Sequence, residues 1–171
     1  MYQTLPSEML SVVMPTLNER ENIERMYEGL KDVVDALGIG YEFIFIDDNS
    51  QDGTIEILKR LRERDPNVKY VVMSRRFGDQ PCLMAGLRAS SGDAVVTMDA
   101  DLQHPPSLIP QMVGKWREGH EIIVMCREEA GHSRFLRKWS EIIYYRILGL
   151  LSSETTFYRF AGYALLDRRV V

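Results

Sequence analysis

Carboxylates gather where the apolar runs of this chain end. Ser11-Val12-Val13-Met14 leads into Pro15-Thr16-Leu17-Asn18-Glu19. The run Tyr41 to Ile46 leads into Asp47-Asp48-Asn49-Ser50-Gln51-Asp52-Gly53-Thr54, and Ala94 to Met98 leads into Asp99-Ala100-Asp101-Leu102-Gln103-His104. Crowded carboxylates raise one another's pKa, so the clustering is costly unless a cation or a polar ligand compensates it. Asp99 and Asp101 stand two residues apart at a strand exit, which turns both toward one face if the chain stays extended. Two carboxylates, the Gln103 amide oxygen and a substrate diphosphate would form an all-oxygen shell suited to Mg²⁺ or Mn²⁺. The competing reading is turn and helix capping, a routine use of aspartate, and Asp-x-Asp alone does not decide between the two.

Other reactive side chains point less clearly to chemistry. His104 follows the acidic motif and could orient Asp101 or a phosphate, whereas His120 and His132 lie in polar sequence and read as solvated. No local signature suggests a Ser-His-Asp or Cys-His arrangement. Cys82 and Cys126 sit among apolar residues without metal-ligand spacing, which predicts buried free thiols.

The elements that must position the acidic groups follow from periodicity. Five β-branched runs, the last being Glu121 to Met125, alternate with stretches of helical spacing. Ile23, Met26, Tyr27, Leu30, Val33, Val34 and Leu37 keep a period near 3.6 and predict a core-facing helix. Leu83, Met84 and Leu87 repeat that pattern, as do Leu108, Ile109, Met112, Val113 and Trp116. A βαβαβαβαβ order implies an α/β fold: a mainly parallel, twisted sheet with helices on both faces. In such sheets ligands bind beyond the carboxyl ends of the strands, where the acidic groups lie. Pro105-Pro106 fits a strand-to-helix turn with the second proline in the helix's first turn.

Composition sets the outer limits. The chain has 171 residues, 45% hydrophobic and 27% charged, which is ordinary for one globular domain. Met1 to Leu10 lacks the features of a secretory leader. The greasy stretch Ile142 to Leu151 is broken by Arg146 and is far shorter than a spanning helix. The net charge of −4 argues against general nucleic-acid binding. It is unevenly spread: from Arg127 onward eight Arg or Lys face five Asp or Glu, a balance of +3 that leaves −7 on residues 1–126. The basic third is where phosphates or an anionic surface are expected to be met. Its segment 134–151 mixes basic and aromatic residues, as either a buried helix or a helix lying on lipid headgroups would.

Taken together, Pro-Thr-x-Asn-Glu at one strand end, Asp-Asp-Asn-Ser-x-Asp-Gly-Thr about thirty residues later, Ser74-Arg75-Arg76-Phe77-Gly78 and Met98-Asp99-Ala100-Asp101-Leu102-Gln103-His104-Pro105-Pro106 resemble the inverting GT-A glycosyltransferases of family 2. The likeness is greatest to the branch that charges dolichyl or undecaprenyl phosphate, and it covers roughly residues 10–171. It implies a GT-A fold, with residues 1–171 as a single catalytic domain that is either truncated at its C-terminus or unusually minimal. It further implies that Pro15, Leu17, Glu19 and Asp48 line the pocket for base and ribose. Asp99 would assist nucleotide and metal binding, and Asp101 and Gln103 would hold the metal. Arg127 and Arg137 match the family's phosphate-contacting arginines, and a guanidinium pairs a phosphate through two hydrogen bonds. Asp99, Asp101 and Arg127 are the expected catalytic set. Ser74 to Gly78 match a loop beside the donor.

Two departures stand out. Leu17 replaces the tyrosine common after Pro-Thr, and Gly162-Tyr163-Ala164 replaces the Asp-Phe-Arg that often precedes Leu-Leu-Asp-Arg. The implied partners are a nucleoside diphosphate sugar as donor, a polyprenyl phosphate or another glycan or lipid as acceptor, and peripheral contact with the inner face of a membrane. No nucleic acid is expected, and no oligomeric state is assigned. The alternative is an inactive GT-A-like domain that binds a nucleotide or a partner. A phosphoacceptor receiver would carry its acidic pair after the first strand, and a nucleotidyltransferase would open on a glycine-rich basic loop; neither matches.

Overall fold

The computed structural model describes residues 8–125 and 162–171. Arg127, Arg137, Cys126, His132 and the segment 134–151 lie outside the described residues. Among the described residues the sheet has six strands: β1 (Met9–Thr16), β2 (Gly40–Asp47), β3 (Val68–Val72), β4 (Ala94–Thr97), β5 (Ile122–Val124) and β6 (Ala164–Asp167). Their order across the sheet is β3-β2-β1-β4-β6-β5. β1, β2, β3 and β4 pair in parallel, while β6 runs antiparallel to both β4 and β5.

Among the described residues four helices connect the strands: α1 (Ile23–Leu37), α2 (Thr54–Arg64), α3 (Asp79–Ala89) and α4 (Ile109–Arg117), the last entered through a 3-10 turn, Pro106–Leu108. Proline at the first position of that turn loses no intrahelical bond. α1 follows its apolar stripe closely, burying Ile23, Met26, Tyr27, Leu30 and Val34, and ends at Gly38 in the left-handed region.

Side-chain alternation shows that helices cover both faces of the sheet. Phe43 of β2 meets Tyr27 of α1, with ring centroids 6.0 Å apart. Its neighbour Ile44 packs with Val13, Ile46 and Val95 around Cys82 of α3. Successive side chains of a strand point to opposite faces, so α1 and α3 lie on opposite sides. Burial on both faces accounts for the unbroken apolar runs Val12 to Met14 and Phe43 to Ile46.

Two expectations need correction. The fifth run forms β5, but it does not pair with the parallel strands, because β6 is inserted between it and β4. Ala-Leu-Leu-Asp carries no β-branched residue, so its strand character comes from pairing on both edges rather than from propensity. Met84, which periodicity places on the core face of α3, is instead 52% exposed. The helix sits on the sheet through Cys82 and Gly86. A Cβ on Gly86 would fall 2.2 Å from Val13 Cγ1, so the backbone itself approaches the sheet and a long side chain has no room there.

The parallel strands are tied at their amino ends by a polar network. Buried Glu42 accepts hydrogen bonds from Ser11 Oγ (2.6 Å), Ser91 N (2.6 Å) and Lys69 Nζ. Ser11 Oγ in turn accepts from Gly92 N at 2.8 Å. The carboxyl ends are thereby left for other chemistry.

Candidate functional site

β1 leads to β2 and β3 on one side and β4 lies on its other side, so the order of the sheet reverses between β1 and β4. Crevices open at such points, beyond the carboxyl ends of the strands. Three exits meet that edge, and each bends through a non-glycine residue with positive φ: Asn18 (55°), Asn49 (63°) and Leu102 (65°). Asparagine tolerates that region, but leucine does so only when the surroundings enforce it.

The first two exits are laced together. Asn18 N donates to Ser50 Oγ (2.8 Å), Gln51 N to Asn18 Oδ1 (3.0 Å), and Glu19 N to Thr54 Oγ1 (3.0 Å). Of the expected nucleoside-pocket residues, Pro15, Leu17 and Glu19 are half-buried along the β1 exit. Glu19 is steadied by Asn22, whose Nδ2 donates to Oε2 at 2.6 Å. Asp48 stands beside them, its N–H donating to the Thr16 carbonyl at 2.8 Å. Below this rim, Thr16 and Asp47 are register partners, and Thr16 Oγ1 and Asp47 Oδ1 are buried without a hydrogen-bond partner among the described residues.

The Asp48 carboxylate is already engaged: Oδ1 accepts from Phe77 N (2.7 Å) and Oδ2 from Gly78 N (2.9 Å). Burial opposes its charge, but these two N–H groups, the Cys82 thiol and the Arg76 charge outweigh burial and hold the carboxyl below the usual aspartate range. Asp48 thus fastens the loop Ser74 to Gly78, which carries Arg75 and Arg76, at the start of α3. Burial and the Asp48 charge push the Cys82 thiol up to about 12, so it is present as a protonated donor.

The third exit carries Asp99, Asp101 and Gln103 in one turn. β4 ends at Thr97, so the pair does not continue an extended strand. Exposure still alternates: Asp99 faces solvent, Ala100 is 2% exposed, and Asp101 is half-buried. Asp101 Oδ1 accepts the Gln103 N–H at 2.9 Å, which closes the turn locally. Desolvation is the main reason the Asp99 carboxyl titrates above the usual range, and the charges of Asp101 and Asp79 add to it. An accumulation of negative charge with all-oxygen donors fits a hard divalent cation. Among the described residues no three His, Cys, Asp or Glu side chains converge tightly enough to hold an ion alone. A shell here would draw on the Gln103 amide, a diphosphate and water as well.

Two further side chains, Asp79 and Tyr163, join this site without any local sequence motif to mark them. Asp79 opens α3, and its charge reaches Asp99. Tyr163 stacks on His104, with ring centroids 5.0 Å apart. No local pattern links residues so distant in sequence. The one available signal was that Tyr163 immediately precedes the apolar run Ala164 to Leu166. His120 is exposed, as expected.

A family model described as "Glycosyl transferase family 2" matches residues 11–171. Over 160 residues the chain is 38% identical to the uncharacterized glycosyltransferase YkcC of Bacillus subtilis, covering 94% of this chain and 50% of that protein. It is 34% identical to the undecaprenyl-phosphate 4-deoxy-4-formamido-L-arabinose transferase of Salmonella typhimurium, covering 91% of this chain and 46% of that protein. The chain therefore spans about half the length of the curated relatives it matches. Among solved structures it is similar to glucosyl-3-phosphoglycerate synthase from Mycobacterium tuberculosis in complex with Mn²⁺, UDP-glucose and phosphoglyceric acid. The TM-score is 0.65 at 26% identity, over 96% of this chain and 58% of that one. A mannosyltransferase from Pyrobaculum calidifontis shares the fold, with a TM-score of 0.64 at 20% identity, over 98% of this chain and 46% of that one.

Proposed function

Because the chain belongs to glycosyl transferase family 2, we propose that it moves a sugar from a nucleoside diphosphate sugar to a polyprenyl phosphate by inverting displacement. The observation that carries this reading is the Asp99 to Gln103 turn, set at the reversal of strand order beside the laced exits of β1 and β2. Support for the acceptor comes from the Salmonella relative, and support for a divalent cation and a nucleotide sugar from the mycobacterial structure.

In this reading Pro15, Leu17, Glu19 and Asp48 receive the base and ribose. Asp99, Asp101 and Gln103 hold Mg²⁺ or Mn²⁺, which when bound supplies Lewis-acid compensation of the charge on the departing diphosphate. Arg127 and Arg137 pair with phosphate, on the donor or on the acceptor lipid. The acceptor oxygen bonds to the anomeric carbon as the bond from that carbon to the diphosphate oxygen breaks. The electron pair leaves with the nucleoside diphosphate, and the configuration inverts. A phosphate monoester is already anionic near pH 7, so attack requires no general base, in keeping with Gly162 standing where relatives often carry aspartate. The +3 balance of the chain from Arg127 onward suits an anionic membrane surface that presents such a lipid.

The test is a thermal-shift panel of UDP, GDP and dTDP sugars with and without Mn²⁺, followed by transfer to undecaprenyl phosphate in vesicles. A ligand that binds only the native state raises the melting temperature. One donor should stabilise the chain only when Mn²⁺ is present, and Asp101→Ala should lose that dependence, judged against its own metal-free melting temperature. Equal donor affinity with and without Mn²⁺ overturns the cation site. Metal-dependent binding without transfer favours the inactive, nucleotide-binding alternative.

A further inference from the structure

His104 closes the acidic turn from its far end. Its Nδ1 accepts the Asp99 N–H at 3.0 Å, so one imidazole joins the first residue of the turn to the last. The ring is itself held: it stacks on Tyr163 with 18° between the planes, and the Tyr163 hydroxyl donates to the Pro105 carbonyl at 2.7 Å. Tyr163 is 3% exposed and enters β6, whose pairing with β4 sets Ala164 opposite Thr97. The last strand of the sheet therefore clamps the loop that leaves β4. Inside the closed loop Leu102 is kept at φ 65°, a conformation leucine does not adopt unaided. Gly162 lies alongside the same groups, its Cβ position at ordinary contact distance from both Asp99 carboxylate oxygens (3.4 Å) and His104 Cε1 (3.5 Å).

The role of the imidazole follows from its hydrogen bond. A ring nitrogen that accepts an N–H carries no proton, so the proton of the neutral ring is on Nε2. The 3.6 Å approach of Nδ1 to Asp99 Oδ2 is then not an ion pair. What His104 supplies is an acceptor at a fixed point, tied to the backbone of the residue whose carboxylate faces the site. Groups that orient ligands without touching the ion tune metal affinity in this manner.

We infer that His104, clamped by Tyr163, is a positioning residue that pre-forms the Asp99 to Gln103 turn for a divalent cation. The inference rests on the reading of that turn as the cation site. Two properties of the ring can be separated by substitution. His104→Asn puts Oδ1 the same number of bonds from Cα as Nδ1, keeping the acceptor without the ring. His104→Phe keeps a ring against Tyr163 without the acceptor, and His104→Ala removes both.

The experiment titrates Mn²⁺, alone and with UDP, following the electron paramagnetic resonance signal of the free ion. It is run well below each variant's metal-free melting temperature, measured in parallel. His104→Phe and His104→Ala should weaken Mn²⁺ binding about tenfold or more, and His104→Asn should stay within about threefold of the unmodified chain even if it melts lower. A role confined to packing predicts the reverse order, with the phenylalanine variant unaffected and the asparagine variant impaired. Unchanged Mn²⁺ affinity in whichever acceptor-free variant folds overturns the inference. Asp101→Ala is the control: if it binds Mn²⁺ normally, the cation site itself is misassigned, whereas its failure to bind alongside a normal His104→Phe or His104→Ala sinks only the role of His104.

Discussion

Asp48 shows how one side chain can serve two ends. Both of its oxygens accept backbone N–H groups from the loop that carries Arg75 and Arg76, so removing its charge acts on the protein before any nucleotide is present. Asp48→Asn turns one acceptor into a donor that faces an N–H. It is expected to cost about 1–3 kcal/mol of stability in the ligand-free chain, measured by urea denaturation, in addition to any loss of nucleotide affinity. Unchanged ligand-free stability would show that the clasp contributes nothing. Cys82 belongs to the same arrangement. Its thiol, buried and raised to about 12, should resist alkylation at pH 8 in the folded chain and react once Asp48→Asn loosens the loop, as read by peptide mass mapping.

At the scale of elements, α3 is placed by the absence of a side chain. Gly86 lets the helix backbone lie against Val13 and Ile46, and Gly86→Ala would set a methyl 2.2 Å from Val13 Cγ1 and 3.1 Å from Ile46 Cγ1. Overpacking of this kind costs about 1–3 kcal/mol. Because α3 begins at the loop fastened by Asp48, displacing the helix should also weaken donor binding at a distance. Val13→Ala should recover part of the stability lost in Gly86→Ala by removing the atom struck first, so a double-mutant cycle should give a coupling well outside additivity. Strict additivity would mean that the helix adjusts elsewhere.

Across the whole molecule the two edges of the sheet differ in purpose. The amino edge is fastened around buried Glu42, whose burial is outweighed by Lys69, Ser11 and Ser91, so that its folded pKa lies below the ordinary value. Asp48 and Asp52 are depressed as well. A carboxyl with a depressed folded pKa contributes stability above its unfolded pKa and loses it as the pH falls through the folded one. Asp99 has the opposite sign, since its raised pKa favours the folded state below its unfolded value and not above its folded value. Glu118 and Asp167 are depressed too, so among the described residues five depressed carboxyls against one raised predict falling stability as the pH drops below about 4, measured as the unfolding midpoint between pH 3 and 7. Glu42→Gln should be less stable at neutral pH and show a shallower acid limb. An unchanged acid limb would remove Glu42 from the account.

Much of this was written locally. The period of the residues from Ile23 to Leu37, the apolar runs ending in carboxylates and the Pro105-Pro106 turn each depend on neighbours within a few residues, and α1, β1 to β4 and the 3-10 turn follow them. The grouping of Asp99, Asp101 and Gln103 is likewise a property of adjacent residues. What required the folded chain was pairing across long separations. β6 is a strand because β4 and β5 lie on either side of it, Asp48 meets Phe77 and Gly78 because α3 crosses the sheet, and His104 meets Tyr163 because β6 lies beside β4. Propensity and periodicity describe how a segment relates to water and to its own backbone, so they fix the elements and the face each one buries. Hydrogen-bond geometry between distant segments depends on sheet order, which no local pattern encodes. The acidic turn could therefore be found in the sequence, while the imidazole and tyrosine that shape it emerged only once the strands were in place.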